Sequence, residues 1–190
     1  RPADVRAYAL NAGSVALLQS LKVWDAMPAN KRTAVYDMAV MGDQHAALHF
    51  SSWQQAVREL AFIVDAAALE AELGAALRYA PHVAMVGEDV PASLLVLAEG
   101  RASATREQLG VAFDIHDYGQ TAIAARLQSD TAHGGLARQW FHAPDVLALL
   151  PIAKTPSAAG AAEASGDVVR EYDIVTDAWS LNVLAGALVK

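Results

Sequence analysis

The sequence predicts an α+β fold: a mixed, mostly antiparallel sheet with helices packed on one face. Two observations lead there. Several short runs with a two-residue period follow one another between turn residues, as strands do. Only three longer segments keep the helical spacing, so a regular strand–helix–strand alternation is absent.

The first helical segment starts near Asn11. Val15, Leu18, Leu21 and Trp24 recur at three-residue steps, with Leu17 and Val23 widening the stripe. Asn11 or Ser14 can cap its start and Pro28 stops it. From Thr33 to Phe50 the period changes. Val35, Met38, Val40 and Met41 precede a Gly42-Asp43 turn, and Leu48 and Phe50 follow, which predicts a two-stranded hairpin. Leu60–Val64 is a third strand. Asp65 then caps a second helix with Leu69, Leu73 and Leu77 on one face, ending near Tyr79 before Pro81.

Val83–Val86 and Ser93–Ala98 are expected as strands, Glu99–Ser103 as a turn and Ala104–Leu109 as a helical turn. Partial alternation predicts one long strand from Phe113 to Leu127. Gln139–His142 and Val146–Ile152 are two more, joined at Ala143-Pro144-Asp145. The stretch 155–167 is rich in Pro, Ser, Ala and Gly and is a linker. The tail 168–190 is expected as one helix, with Ile174, Leu181, Leu184 and Leu188 as its stripe and Trp179 beside it. The organisation expected is a leading segment and helix over 1–30, a substrate-binding domain over 31–154, the linker, and the terminal helix.

Composition narrows the function. The chain has 190 residues, 54% of them hydrophobic and 18% charged, with a net charge of −7. That is too apolar for a disordered segment and too acidic, without a basic cluster, for a nucleic-acid binder. No cysteine is present, which removes disulfides, thiolate metal sites and a cysteine nucleophile. The most apolar windows, Leu94–Ala98 and Val146–Ala153, are far shorter than the roughly 20 residues of a membrane-spanning helix. The chain opens Arg1-Pro2 and is expected to be an internal piece of a longer product.

Catalytic constellations are sparse. His45 and His49 would share one face of a strand, but only Asp43 lies near them in sequence, so no metal site is expected. Ser103 lacks the second glycine of a nucleophile elbow. No P-loop and no Gly-x-Gly-x-x-Gly occurs. What remains is an apolar run ending in Ala98, then Glu99-Gly100, then Ser103 and Arg106. It delivers an acid, a close-approach glycine and a cation to one place, an arrangement suited to a pyrophosphate.

Five ordered blocks carry a family resemblance. They are Asp4-Val5-Arg6-Ala7-Tyr8-Ala9-Leu10-Asn11 with its following helix, Glu59–Val64 with Leu69, Leu73 and Leu77, and Ala98-Glu99-Gly100-Arg101-Ala102-Ser103-Ala104-Thr105-Arg106. Tyr118–Ala124 with His133–Phe141 follow, and Asp145–Pro151 closes the series. Over about residues 1–151 this resembles the FAD-dependent aromatic hydroxylases, most closely the polyprenylphenol hydroxylase branch of ubiquinone biosynthesis. The third block resembles the family's A-D-G-x-x-S-x-x-R motif with Glu99 in place of Asp. The helix after Asp65 has Ala where many relatives place an Arg near the cofactor. The family's N-terminal Gly-x-Gly-x-x-Gly unit would precede Arg1, and its downstream G-D-A-A-H stretch finds no match.

The resemblance implies a monooxygenase that uses FAD and NAD(P)H on a phenol or quinol ring with an isoprenoid tail. Arg6, Glu99, Gly100, Ser103 and Arg106 would be cofactor-side residues, and no protein group is singled out as catalytic. Phe50, Phe62, Ile123, Trp140 and Leu149 would line the aromatic pocket. This chain alone is expected to bind no flavin and to be inactive. A cytoplasmic location is implied, with peripheral contact at the inner membrane, ubiquinone-biosynthesis partner proteins and room for an oligomer. The competing reading is a non-catalytic domain, derived from such an enzyme, that holds a hydrophobic ligand or a partner.

Overall fold

The computed structural model describes residues 4–87, 90–100, 103–114, 123–129, 132–142, 145–153 and 170–174. The chain divides into two compact units, Arg1–Tyr79 with Gln120–Lys190, and Ala80–Gly119.

The first unit is α+β. Its strands and helices run β1 (Ala7–Leu10), α1 (Ala12–Ser20), α2 (Val23–Ala26), β2 (Arg32–Val35), β3 (Asp37–Met41), β4 (Ala47–Ser51), β5 (Ala61–Asp65) and α3 (Ala66–Arg78). After the second unit, which contributes α4 (Ala104–Gln108), come β6 (Ala125–Ser129), β7 (Leu136–His142), β8 (Asp145–Ile152) and β9 (Arg170–Ile174). A three-stranded antiparallel sheet has the order β1-β5-β2. A six-stranded sheet has the order β4-β3-β7-β8-β9-β6, and its pairs are antiparallel except β3–β7.

The helices pack on one face of the three-stranded sheet. Val15, Leu18, Val23, Trp24, Met27, Val64 and Leu69 form that core. Trp24 meets Phe62 edge to face, with ring centroids 4.9 Å apart. The other face of the same sheet meets the six-stranded sheet through Ala7, Val35, Ile63, Ala137 and Ile152. Alternation explains the split: Phe62 and Val64 point to the helices, Ile63 to the second sheet.

Helix starts follow the sequence closely. Asn11 caps α1 by accepting from the Ser14 N–H at 2.8 Å, and Asp65 caps α3 by accepting from the Ala68 N–H at 2.9 Å. The first helix is nevertheless two. Lys22 takes the left-handed conformation (φ 61°), which ends α1 and re-aims the chain. Val23, Trp24 and Met27 thereby enter the core, while Leu17 and Leu21 stay exposed.

The expected hairpin also divides. β2 belongs to the three-stranded sheet, and the chain crosses at Tyr36 to β3, which pairs with β4 as a true hairpin. The crossing is held by the Gly135 carbonyl, which accepts from the Tyr36 N–H at 2.8 Å. Gly135 has φ 75°, and a Cβ there would lie 2.6 Å from a Tyr36 ring carbon and 3.2 Å from the Ala34 carbonyl oxygen. Gly135→Ala is therefore expected to destabilise the domain by about 1–3 kcal/mol, read as a lower urea midpoint. An unchanged midpoint would show that the crossing adjusts freely.

Other expectations are corrected. Val83–Val86 and Ser93–Ala98 are not strands, because an apolar run becomes one only when a ladder partner satisfies its backbone, and none pairs with them among the described residues. The long strand expected from Phe113 shrinks at its described end to β6, with 115–122 outside the described residues. Arg170–Ile174, expected in a terminal helix, instead forms β9 between β8 and β6. Its ladder partners on both sides override a helical period that this short segment supports only weakly. The linker 155–167 and the rest of the tail lie outside the described residues.

Candidate functional site

In the second unit, the segment singled out by the sequence closes on itself. Glu99 accepts hydrogen bonds from the Ser103 hydroxyl and, at 2.6 Å, from the Thr105 hydroxyl. The buried Ser103 also caps α4, its Oγ accepting from the Arg106 N–H at 3.1 Å. The Ser103 hydroxyl, then that of Thr105, holds the Glu99 carboxyl below the usual carboxylate range, and the Arg106 charge adds to this. The Arg106 guanidinium lies 4.0 Å from the Phe113 ring centroid, which fixes its plane. Gly100 has φ 78° and open space where a side chain would stand. Glu99, Gly100, Ser103 and Arg106 are thus one local cluster.

Arg6 belongs to the first unit. Its Nη2 lies 2.7 Å from Asp4 and 3.1 Å from Glu70, and its Nη1 donates to the Tyr8 hydroxyl at 3.3 Å. The Arg6 side chain, through its hydrogen bonds, lowers the Asp4 pKa to about 2.

The five expected pocket residues do not share one surface. Phe62 lies in the three-stranded sheet, against Trp24 in the helix-side core. Ile123 is half-buried just before β6. Phe50 pairs with Met38, which pairs with Ala137, so Phe50 stands on the inner face of the six-stranded sheet. Trp140 and Leu149 stand on the opposite face. Register places Trp140 beside Met41 and Leu147, and Arg138 beside Ala39 and Leu149. This second face is a half-buried apolar floor with Arg138 exposed on it. Sequence reasoning missed Ala39, Met41 and Leu147, because the β3–β7 pairing that assembles them is distant in sequence.

Two histidine–carboxylate pairs stand on or beside that face. His49 Nε2 is 3.7 Å from Asp37 Oδ1, and His142 Nδ1 is 3.2 Å from Asp43 Oδ1. His45 lies in the turn between β3 and β4, away from the face position of His49. Among the described residues no three His, Asp or Glu side chains are placed to hold a metal ion. None of their helices is long and apolar enough to cross a membrane.

Fold and site define an α+β domain with an apolar sheet face, consistent with a substrate-binding domain. No family model matches the chain. Among curated proteins it is 28% identical over 177 residues to the ubiquinone hydroxylase UbiM of Neisseria meningitidis, covering 80% of this chain and 38% of that protein. It is 25% identical over 170 residues to the 3-demethoxyubiquinol 3-hydroxylase of Escherichia coli, covering 78% and 44%. A shorter match, 38% identical over 66 residues, is to the ubiquinone hydroxylase UbiL of Rhodospirillum rubrum, covering 35% and 15%. The chain spans about two-fifths of the length of the first two relatives. Its relatives are ubiquinone hydroxylases, the branch that the sequence motifs resemble.

Proposed function

We propose that this chain is the substrate-side portion of a FAD-dependent monooxygenase that hydroxylates a polyprenylated phenol or quinol in ubiquinone biosynthesis. The observation that carries the reading is the second face of the six-stranded sheet. Trp140, Leu147, Leu149 and Met41 offer a flat apolar floor to an aromatic ring, and the chain's curated relatives are named for ubiquinone chemistry.

The cofactor-side residues fit one edge of a dinucleotide. Gly100 leaves its backbone open to close approach, as a glycine beside a pyrophosphate must. Arg106 supplies a fixed cation, and Glu99 a carboxylate kept ionised by its hydroxyl donors. When bound, the flavin, reduced by NAD(P)H, would supply the chemistry that activates dioxygen into an electrophilic oxygen donor. The protein's own part is to hold the ring flat, exclude water and direct one carbon outward. Taken alone, the 190 residues provide this ring-binding face and one cofactor edge, without stoichiometric flavin absorbance or hydroxylation. Contact with a membrane surface through hydrophobic groups would deliver the isoprenoid substrate.

The test is binding of a short-tailed ubiquinone analogue to the chain, followed by quenching of tryptophan fluorescence. Trp140→Ala is expected to weaken binding at least about tenfold, from loss of aromatic contact and buried area. Equal affinity in the variant and the parent would refute the assignment of this face.

A further inference from the structure

We propose that His142, oriented by Asp43, accepts the proton of the ring hydroxyl when a phenolic substrate lies on the second face of the six-stranded sheet. The inference rests on the reading of that face as the ring-binding surface and assigns it an acid–base group. Trp140 and His142 are two residues apart on β7, so their side chains leave the same face. The register agrees: Trp140 pairs with Leu147, and His142 with Asp145. His142 therefore stands at the end of the apolar floor, two residues along the strand from Trp140.

The contact with Asp43 decides which nitrogen can act. Nδ1 of His142 lies 3.2 Å from Asp43 Oδ1. A carboxylate at that distance favours the tautomer with the proton on Nδ1, which leaves the Nε2 lone pair as the acceptor. Asp43 is held in the turn between β3 and β4, where the Gly42 N–H donates to the Ala46 carbonyl at 2.7 Å and the Ala46 N–H to the Asp43 carbonyl at 3.2 Å. The His142 side chain is 89% exposed, so a ring on the face can reach it. Among the described residues, the charged and titratable groups on the elements beside it are Asp43 and His45 from that turn, Asp145 from β8, and Arg138 on its own strand.

In the step, the substrate O–H bond breaks and an Nε2–H bond forms. The electron pair stays on the ring oxygen, and Asp43 offsets the imidazolium charge. A phenol of ordinary pKa near 10 is poorly ionised at neutral pH unless a positioned acceptor takes its proton. The phenolate so formed is more electron-rich at the ring carbons, which suits attack by an electrophilic oxygen.

The experiment uses the 190-residue chain and 4-nitrophenol, whose ionised form is coloured. Spectrophotometric titration of the bound probe should give an ionisation midpoint about one pH unit or more below that of free probe. His142→Gln should return the midpoint to the free value with binding retained, and Asp43→Asn should return it in part. Circular dichroism checks that both variants keep the fold, as the exposure of His142 leads one to expect. If bound probe titrates identically in the parent and His142→Gln, the proton role is wrong while the ring-binding face stands. If the parent does not bind the probe, the reading of the face fails and the proposal with it.

Discussion

Trp24→Ala is expected to destabilise the first unit by about 3–5 kcal/mol, the usual cost of removing a large buried aromatic side chain. Trp24 is 6% exposed and joins three elements. Its ring meets Phe62 of β5 edge to face, and the Arg32 guanidinium of β2 lies 4.9 Å from its ring centroid. Arg32 also donates to the Trp24 carbonyl at 2.7 Å. Alanine would leave a cavity under α1 and α2, and Arg32 would lose the surface on which it stacks. Urea unfolding followed by far-ultraviolet circular dichroism should show a lower midpoint with an unchanged slope. Trp24→Phe should recover more than half of the loss. A stability loss below about 1 kcal/mol would mean that the helices do not depend on this contact.

Asp65→Ala should cost about 2–4 kcal/mol at neutral pH, because one side chain serves two purposes. Its Oδ1 caps α3, worth about 0.5–2 kcal/mol. Its Oδ2 lies 3.1 Å from Lys31 Nζ and 3.0 Å from Arg126 Nη2, all three side chains being at most 24% exposed. Removing the carboxylate leaves two partly buried cations without it, which adds to the cost. Asp65→Asn separates the effects, since the amide oxygen can still cap the helix. The pH dependence has a definite sign. Burial works against the carboxylate, but the Ala68 N–H, Lys31 and Arg126 prevail and hold its pKa below the ordinary 3.8. A lowered folded-state pKa contributes stability that is fully present above the unfolded value and is lost as pH falls through the folded one. The stability gap between the parent and Asp65→Asn should therefore be constant above about pH 5 and should narrow below about pH 4. A gap that stays unchanged down to pH 2 would exclude an ionised Asp65 as its source.

Local features were legible in the sequence where local physics decides them. Asn11 and Asp65 are read as caps because a short polar acceptor before an apolar stripe has few other uses. The β3–β4 hairpin, β5, α3, β7 and β8 follow from periods that neighbouring residues enforce. What the sequence does not carry is pairing at a distance. Leu94–Ala98 has strand composition, yet composition supplies no ladder. Arg170–Ile174 fits two periods, and only the flanking strands choose between them. The same holds at the site. The Glu99–Arg106 cluster is contiguous and was legible as a unit. The pocket residues depended on which face each strand turns, so Phe50 and Trp140 were grouped although register sets them on opposite faces.

The parallel pairing of β3 with β7 also sets the order in which the molecule can be made. Asp37 must find Leu136, and nearly the whole middle of the chain lies between them. On a ribosome, β3 and β4 emerge as a hairpin long before β7 exists to cover the open side of β3. The three-stranded sheet draws on residues 7–65 only and can assemble in that interval. Closing the larger sheet requires a long loop to close before the β3–β7 pairing rewards it, so its formation is expected to be the slow event in folding. Until then, the apolar floor proposed to bind substrate is an unassembled and aggregation-prone surface.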